Sequence, residues 1–217
     1  CELGRFINTA TGYWWWYQPS EQPAAQQEEQ EHPLVVAAML VQEDLAVMMP
    51  GPGGEYVLAA AAICFADQWS VPSKVGRSLT AIHEPASTYQ RTSAATNKFF
   101  TGLKVGAEKV RYNFTFCERP SLHLPEEPGP DDCPLPQNGL PHAIYLRVER
   151  QVLLRLPKSG GVLFTIRTYR QNVQDVPRRH HAALLAALEP GSRTTPLKPE
   201  TKLQYCERIR KRLSQLH

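Results

Sequence analysis

LRVERQVLLRLPKSGGVLFTIRTY, residues 146–169, is the stretch of sequence that decides the fold. Residues that favour strands run along both halves of it, and Pro157, Gly160 and Gly161 lie between the halves. Proline and glycine at that position are typical of a chain reversal. The stretch therefore predicts a long antiparallel hairpin, which we call the arginine hairpin after the arginines within it.

Charged side chains interrupt the apolar pattern of the arginine hairpin. Alternation predicts that one face of its first strand carries Val148, Arg150, Val152 and Leu154, and that the other carries Arg147, Glu149, Gln151 and Leu153. A guanidinium on a mostly apolar face is costly to desolvate unless an anion meets it. Arg150 and Arg167 are therefore candidates for binding an anionic group. The alternatives are a cross-strand ion pair with Glu149 or an exposed sheet face.

Three further segments complete a set of five predicted strands. Residues 44–49 and 55–65 are apolar runs separated by a proline- and glycine-rich stretch at 50–54, which predicts a second hairpin. Residues 110–117 alternate in character and predict another strand. Between the second and third strands, the spacing of apolar residues over 87–105 predicts a helix.

The order of these elements favours a single α+β domain over residues 1–217. We expect a PAS-like antiparallel five-stranded sheet with helices packed on one side and a C-terminal helical extension over 177–217, including 178–188 and 200–216. Residues 13–33 begin with tryptophans and become rich in Gln and Glu, which predicts a disordered insertion. Seven prolines over 119–142 predict a loop.

Composition excludes several other classes of protein. A balance of 24 Lys and Arg against 21 Asp and Glu gives a net charge of only +3, which does not indicate a nucleic-acid-binding protein. Five widely spaced cysteines without a Cys-x-x-Cys pair argue against a disulfide framework and a structural zinc site. Charges interrupt the best apolar run, 33–50, so no membrane span is predicted and we expect a cytoplasmic protein. Because the first residue is Cys, we expect the chain to be incomplete at its N-terminus.

Five segments of the chain resemble, in order, the haem-dependent oxidative N-demethylase family. They are QEDLAVM at 42–48, AICFADQW at 62–69, KVGRSLTAIHEP at 74–85, VRYNF at 110–114, and the arginine hairpin. This resemblance implies a PAS-like fold that binds haem b. It also implies oxygen-dependent demethylation of a small secondary amine, such as dimethylamine, with release of formaldehyde. Electrons would come from a separate or fused reductase that carries flavin and an iron-sulfur centre.

The same resemblance indicates which residues bind the cofactor. His83, in the family-like Ile-His-x-Pro sequence, is the expected axial ligand of the haem iron, and Cys64 and Cys117 are the thiolate alternatives. Because haem propionates need cationic partners, we expect at least one of Arg150 and Arg167 to contact them.

A small secondary amine is a cation at neutral pH and needs a carboxylate or an aromatic face. Glu149 is therefore the first candidate for the catalytic site, ahead of Tyr112 and Tyr169, although it can equally pair with Arg147 or Arg167. The alternative function is a non-catalytic PAS-like sensor or binding module for haem or another small molecule.

Overall fold

The computed structural model describes residues 4–7, 14–17, 32–67, 69–83, 93–117, 120–124, 143–188 and 207–211. Within these ranges the strands are β1 (Gly4–Ile7), β2 (Trp14–Tyr17), β3 (Asp44–Pro50), β4 (Tyr56–Ala62), β5 (Lys109–Cys117), β6 (Tyr145–Arg155) and β7 (Val162–Asn172). The α-helices are α1 (Pro33–Met39), α2 (Leu79–Ile82), α3 (Ser93–Gly102) and α4 (His181–Leu188). Residues 207–211 are also helical.

Strands β3 to β7 form one antiparallel sheet in the order β4-β3-β7-β6-β5. The α+β class and the five-stranded antiparallel sheet predicted from the sequence are thus confirmed. At the centre of the sheet, β6 and β7 pair from Tyr145 opposite Asn172 to Arg155 opposite Val162, which confirms the arginine hairpin. Gly160 adopts a positive φ of 67° in its turn, a conformation that favours glycine.

The predicted hairpin of residues 44–65 is also confirmed, as β3 and β4. Strand β4 ends at Ala62, three residues before the predicted end of its segment. The reason is that the N–H groups of Cys64 and Phe65 donate to the carboxylate of Asp44 instead of continuing the strand. A side chain at the first residue of β3 therefore ends its neighbouring strand.

One face of the sheet, which we call the inner face, carries the main hydrophobic core. Its buried residues come from the sheet, from α2 and from the end of α3; they are Ala46, Met48, Tyr56, Leu58, Leu79, Phe100, Leu103, Leu153 and Val162. Because side chains alternate along a strand, register assigns every residue of the sheet to this face or to the opposite, outer face. The helices between β4 and β5 thus lie over the inner face.

Helix α4 and the helical residues 207–211 pack against the outer face. Leu184 and Ile209 join Phe116 in a second buried cluster, with Phe114 and Leu146 packed at its side. The predicted C-terminal helix of 178–188 begins with a 3-10 turn at Arg178–His180 and continues as α4. Of the predicted helix 200–216, only 207–211 are among the described residues.

The remaining predictions fall partly outside the described residues. The predicted helix 87–105 is observed as α3, with 87–92 outside those residues. Most of the predicted loop 119–142 and residues 18–31 of the predicted insertion also lie outside them. At the start of the predicted disordered insertion the structure instead has strand β2, which pairs antiparallel with β1. Its residues are aromatic, and aromatic residues favour strands. No helix within the described ranges is long and apolar enough to cross a membrane.

Candidate functional site

His83 lies at the C-terminal end of α2, and the edge of the sheet fixes the position of that helix. The N–H of Leu58 in β4 donates to the carbonyl of Arg77 at 3.0 Å, and the N–H of Gly76 donates back to Leu58 at 2.8 Å. The hydroxyl of Ser78 then caps α2 by accepting from the N–H of Ala81 at 3.3 Å. His83 is therefore held beside the hydrophobic core of the inner face.

The imidazole of His83 is hydrogen-bonded in one defined orientation. Its Nδ1 donates to the carbonyl oxygen of Leu79 at 2.8 Å, so the neutral ring carries its lone pair on Nε2. Burial lowers the pKa of His83, and the nearby charges of Lys74 and Arg111 lower it further, although the bond to Leu79 opposes them. A neutral imidazole whose other nitrogen donates to a backbone carbonyl is the usual form of a histidine metal ligand.

Two cationic side chains lie near His83, and each also contacts an aromatic ring. The ammonium of Lys74 donates to the carbonyl of Ile82 at 3.3 Å and lies 5.0 Å from the ring centroid of Trp69. The guanidinium of Arg111 lies 5.9 Å from the ring centroid of Phe164. Apolar surface and positive charge therefore meet beside the imidazole.

Glu149 lies on the inner face, within a row of polar side chains. Its carboxylate accepts from Gln151 Nε2 at 2.9 Å and from Asn113 Nδ2 at 3.5 Å, and it lies 3.6 Å from Arg147 Nε. Gln151 in turn accepts from Arg111 Nε at 2.5 Å. The side chains of Arg111, Gln151, Glu149 and Arg147 thus form a continuous polar network along β5 and β6.

Arg147 and Asp44 are two buried charged residues that were not singled out as site residues from the sequence. Only 2% of Arg147 and 3% of Asp44 is exposed. Arg147 donates to the carbonyls of Leu122 at 2.6 Å and Phe65 at 2.5 Å, whereas Asp44 accepts from the N–H groups of Cys64 and Phe65. Burial raises the pKa of Asp44, and those two hydrogen bonds and the charge of Arg147 oppose that rise.

A signal for Arg147 was present in the sequence, because alternation placed it on the same face as Glu149. Asp44 gave no comparable signal. It stands at the start of an apolar run, and its hydrogen-bond partners follow a different strand.

Arg150 and Arg167 lie opposite each other on the outer face of the sheet. Arg150 Nη1 lies 3.8 Å from a carboxylate oxygen of Glu43, and Arg167 Nη2 donates to Gln42 Oε1 at 2.6 Å. The structure therefore brings these two arginines together, but it places them on the other side of the sheet from Glu149 and the core beside His83. The two candidate tyrosines are also outer-face residues and are exposed, Tyr112 by 68% and Tyr169 by 46%.

The two thiol alternatives occupy different positions from His83. Cys64 is exposed beyond the end of β4, and Cys117 is half-buried at the end of β5. Among the described residues, no three His, Cys, Asp or Glu side chains come together as a candidate metal site.

Comparison with known protein families relates the chain to one of them. The model of one protein family, described as haem-dependent oxidative N-demethylase, alpha subunit-like, matches residues 4–195. The match covers most of the 217 residues and includes His83, the polar network and the arginine hairpin.

Proposed function

The chain belongs to the haem-dependent oxidative N-demethylase, alpha subunit-like family, and from this membership and the position of His83 we propose that it binds haem b. The haem would lie between the inner face of the sheet and the helices over it, in a PAS-like arrangement. His83 would hold the haem iron through Nε2.

The hydrogen bond from His83 Nδ1 to the carbonyl of Leu79 is the observation that carries this proposal. It supports a neutral ring with a lone pair on the nitrogen that would face the iron. The surroundings also fit the group chemically. Half-buried Ala61, Ile82 and Phe164 border the core and suit an apolar macrocycle. The cations Lys74 and Arg111 near the same histidine suit a cofactor with two carboxylates.

The activity that we propose is oxidative N-demethylation of a small secondary amine. Bound haem would supply the iron for oxidation of an N-methyl carbon by dioxygen, with two protons from solvent and two electrons from a flavin and iron-sulfur reductase. One oxygen atom would leave as water and the other in formaldehyde, which is released together with the demethylated amine. Glu149 would hold the ammonium of the substrate, because it is a carboxylate on the inner face and remains 16% exposed at its side chain. Gln151 and Asn113 would orient its oxygens.

A second candidate function is non-catalytic binding of haem or another small molecule. The contacts of Glu149 favour it, because its carboxylate already has Arg147, Gln151 and Asn113 as partners within the protein. In that case a bound ligand would only change the shape of the domain. Turnover of dimethylamine that depends on an added reductase would separate the two functions, since the sensor function predicts haem binding without turnover.

A haem titration followed in the Soret region tests the proposal directly. We expect the purified protein to bind haem with one equivalent per chain and His83→Ala to lose most of that binding while its circular dichroism is unchanged. His181→Ala is the matched control, because His181 also bonds a backbone carbonyl, that of Val176 at 2.7 Å, but lies at the start of α4. An unchanged Soret band in His83→Ala would contradict the proposal. A thiolate-type red shift of the reduced carbonyl complex would instead indicate Cys64 or Cys117.

A further inference from the structure

We propose that Arg111, positioned by Gln151, is the residue that binds a haem propionate. The inference rests on the proposed function, because it requires haem beside His83. It assigns to an inner-face arginine the role that the sequence suggested for Arg150 and Arg167.

The register of the sheet puts Arg111 on the side where His83 lies. Arg111 is opposite Gln151, and the next row of inner-face residues includes Phe164 and Ala46. Phe164 packs against the same core cluster as Ile82, the residue before His83. The guanidinium of Arg111 and the imidazole of His83 therefore approach the same apolar surface from the sheet and from the helix, respectively.

The position of Arg111 also matches the distribution of polarity in haem. The macrocycle is apolar and carries both of its carboxylates along one edge. Arg111 lies in β5, an edge strand, and is exposed, whereas the ring under its guanidinium is half-buried. A propionate at this position would meet the cation at the solvent boundary while the macrocycle covered apolar side chains farther in.

Gln151 holds the guanidinium of Arg111 in a defined orientation. Only 5% of Gln151 is exposed, and its amide joins Arg111 Nε on one side to the carboxylate of Glu149 on the other. A guanidinium carries its N–H donors in a planar fork, so the bond from Nε to Gln151 sets the orientation of that plane.

Arg150 and Arg167 differ from Arg111 in their environment. They lie on the outer face and contact Glu43 and Gln42, which come just before β3. A haem beside His83 would be separated from both guanidiniums by the thickness of the sheet. They therefore provide a matched control of the same residue type in the same sheet.

Haem and haem dimethyl ester, whose propionates carry no charge, are the two probes of the test. We expect the protein to bind haem more tightly than the ester. Arg111→Met should weaken haem binding about tenfold to a hundredfold and lose most of the preference for haem, because a charge-assisted bond is removed. Arg167→Met should bind both probes as the unchanged protein does. Arg111→Lys keeps the charge and loses the planar fork, so its affinity for haem should lie between those of the unchanged protein and Arg111→Met. It replaces Arg111→Met in the test if that variant does not fold.

The outcomes separate this inference from the proposed function. If haem binds and depends on His83, but Arg111→Met and Arg111→Lys keep the full preference for haem over its ester, the role of Arg111 is wrong and the proposed function stands. Loss of the preference in Arg167→Met alone would assign the propionate to the outer face. If neither the unchanged protein nor any variant binds haem, the proposed function itself is wrong.

Discussion

Asp44 and Arg147 lie in two strands that are not neighbours, and both side chains bind the backbone of Phe65. The N–H of Phe65 donates to Asp44 Oδ1 at 2.9 Å, and the carbonyl of Phe65 accepts from Arg147 Nη2 at 2.5 Å. Asp44 belongs to β3 and Arg147 to β6, with β7 between them in the sheet. The two charges therefore fix the segment that follows β4, so that this segment is held to the sheet by buried polar contacts.

Replacing Asp44 should test how strongly this segment is held. Asp44→Ala removes the acceptor of two backbone N–H groups and should lower the free energy of unfolding by about 2–5 kcal/mol, since hydrogen bonds to a charged group contribute about 1.5–3 kcal/mol each. Asp44→Asn keeps an oxygen for both N–H donors, so its free energy of unfolding should fall by less than that of Asp44→Ala. Urea denaturation measures both values. Equal losses in the two variants would show that the charge, and not the acceptor oxygen, holds the segment.

The raised pKa of Asp44 predicts an unusual dependence of stability on pH. Because burial raises this pKa, the folded protein binds the proton more tightly than the unfolded chain does. The stability that protonation of Asp44 contributes is thus fully present below the usual pKa of an aspartate, about 3.9. It decreases as the pH rises through the pKa that Asp44 has in the folded protein. Relative to Asp44→Asn, the unchanged protein should lose stability with rising pH over this window. A relative gain would mean that Arg147 lowers the pKa more than burial raises it.

Arg155 should be a major anchor of α3. It donates to the carbonyls of Thr101 and Leu103, each at 3.1 Å, and also to that of Phe100, at the end of the helix. Arg155→Gln should therefore lower the free energy of unfolding by about 2–4 kcal/mol, because the part-buried carbonyls of Phe100 and Leu103 lose a charged donor. Arg170→Gln, at an exposed position over the ring of Tyr145, should cost less than about 1 kcal/mol. Thermal or urea unfolding measures the stability of both variants. Similar losses of stability in Arg155→Gln and Arg170→Gln would contradict the anchoring role of Arg155.

The sequence was sufficient for the sheet because its signals are local. Turn residues and alternation specify the arginine hairpin, and the same reasoning predicts β3, β4 and β5. Alternation also groups the residues that share a face, but it does not indicate which face the helices cover. Arg150 belongs to the more apolar group of its strand, yet the inner face is the one with Arg147, Glu149 and Gln151. The partners of Arg147 are backbone carbonyls of Phe65 and Leu122, distant in the sequence, so no local pattern could predict them.

Glu149→Gln should separate the substrate role of this residue from its structural one. The variant keeps the shape and an acceptor for Gln151 and Asn113, but it removes the negative charge 3.6 Å from Arg147 Nε. If Glu149 holds the substrate, the KM for dimethylamine should rise about tenfold or more, because the ammonium loses its counter-ion. Haem content should stay unchanged, and the free energy of unfolding should fall by about 1–3 kcal/mol, because Arg147 loses one of its anions.

Asp67→Asn is the control for that prediction, because Asp67 is a second carboxylate close to Arg147 Nε, at 3.9 Å. Both variants remove an anion beside the same buried guanidinium, but only Glu149 bonds to the amides of Gln151 and Asn113 on the inner face. We therefore expect Asp67→Asn to lower stability without changing the KM. If both variants raise the KM equally, the effect comes from displacement of Arg147, and the ammonium site must lie elsewhere. If Glu149→Gln loses haem or unfolds, the carboxylate is part of the architecture, which would favour the non-catalytic function.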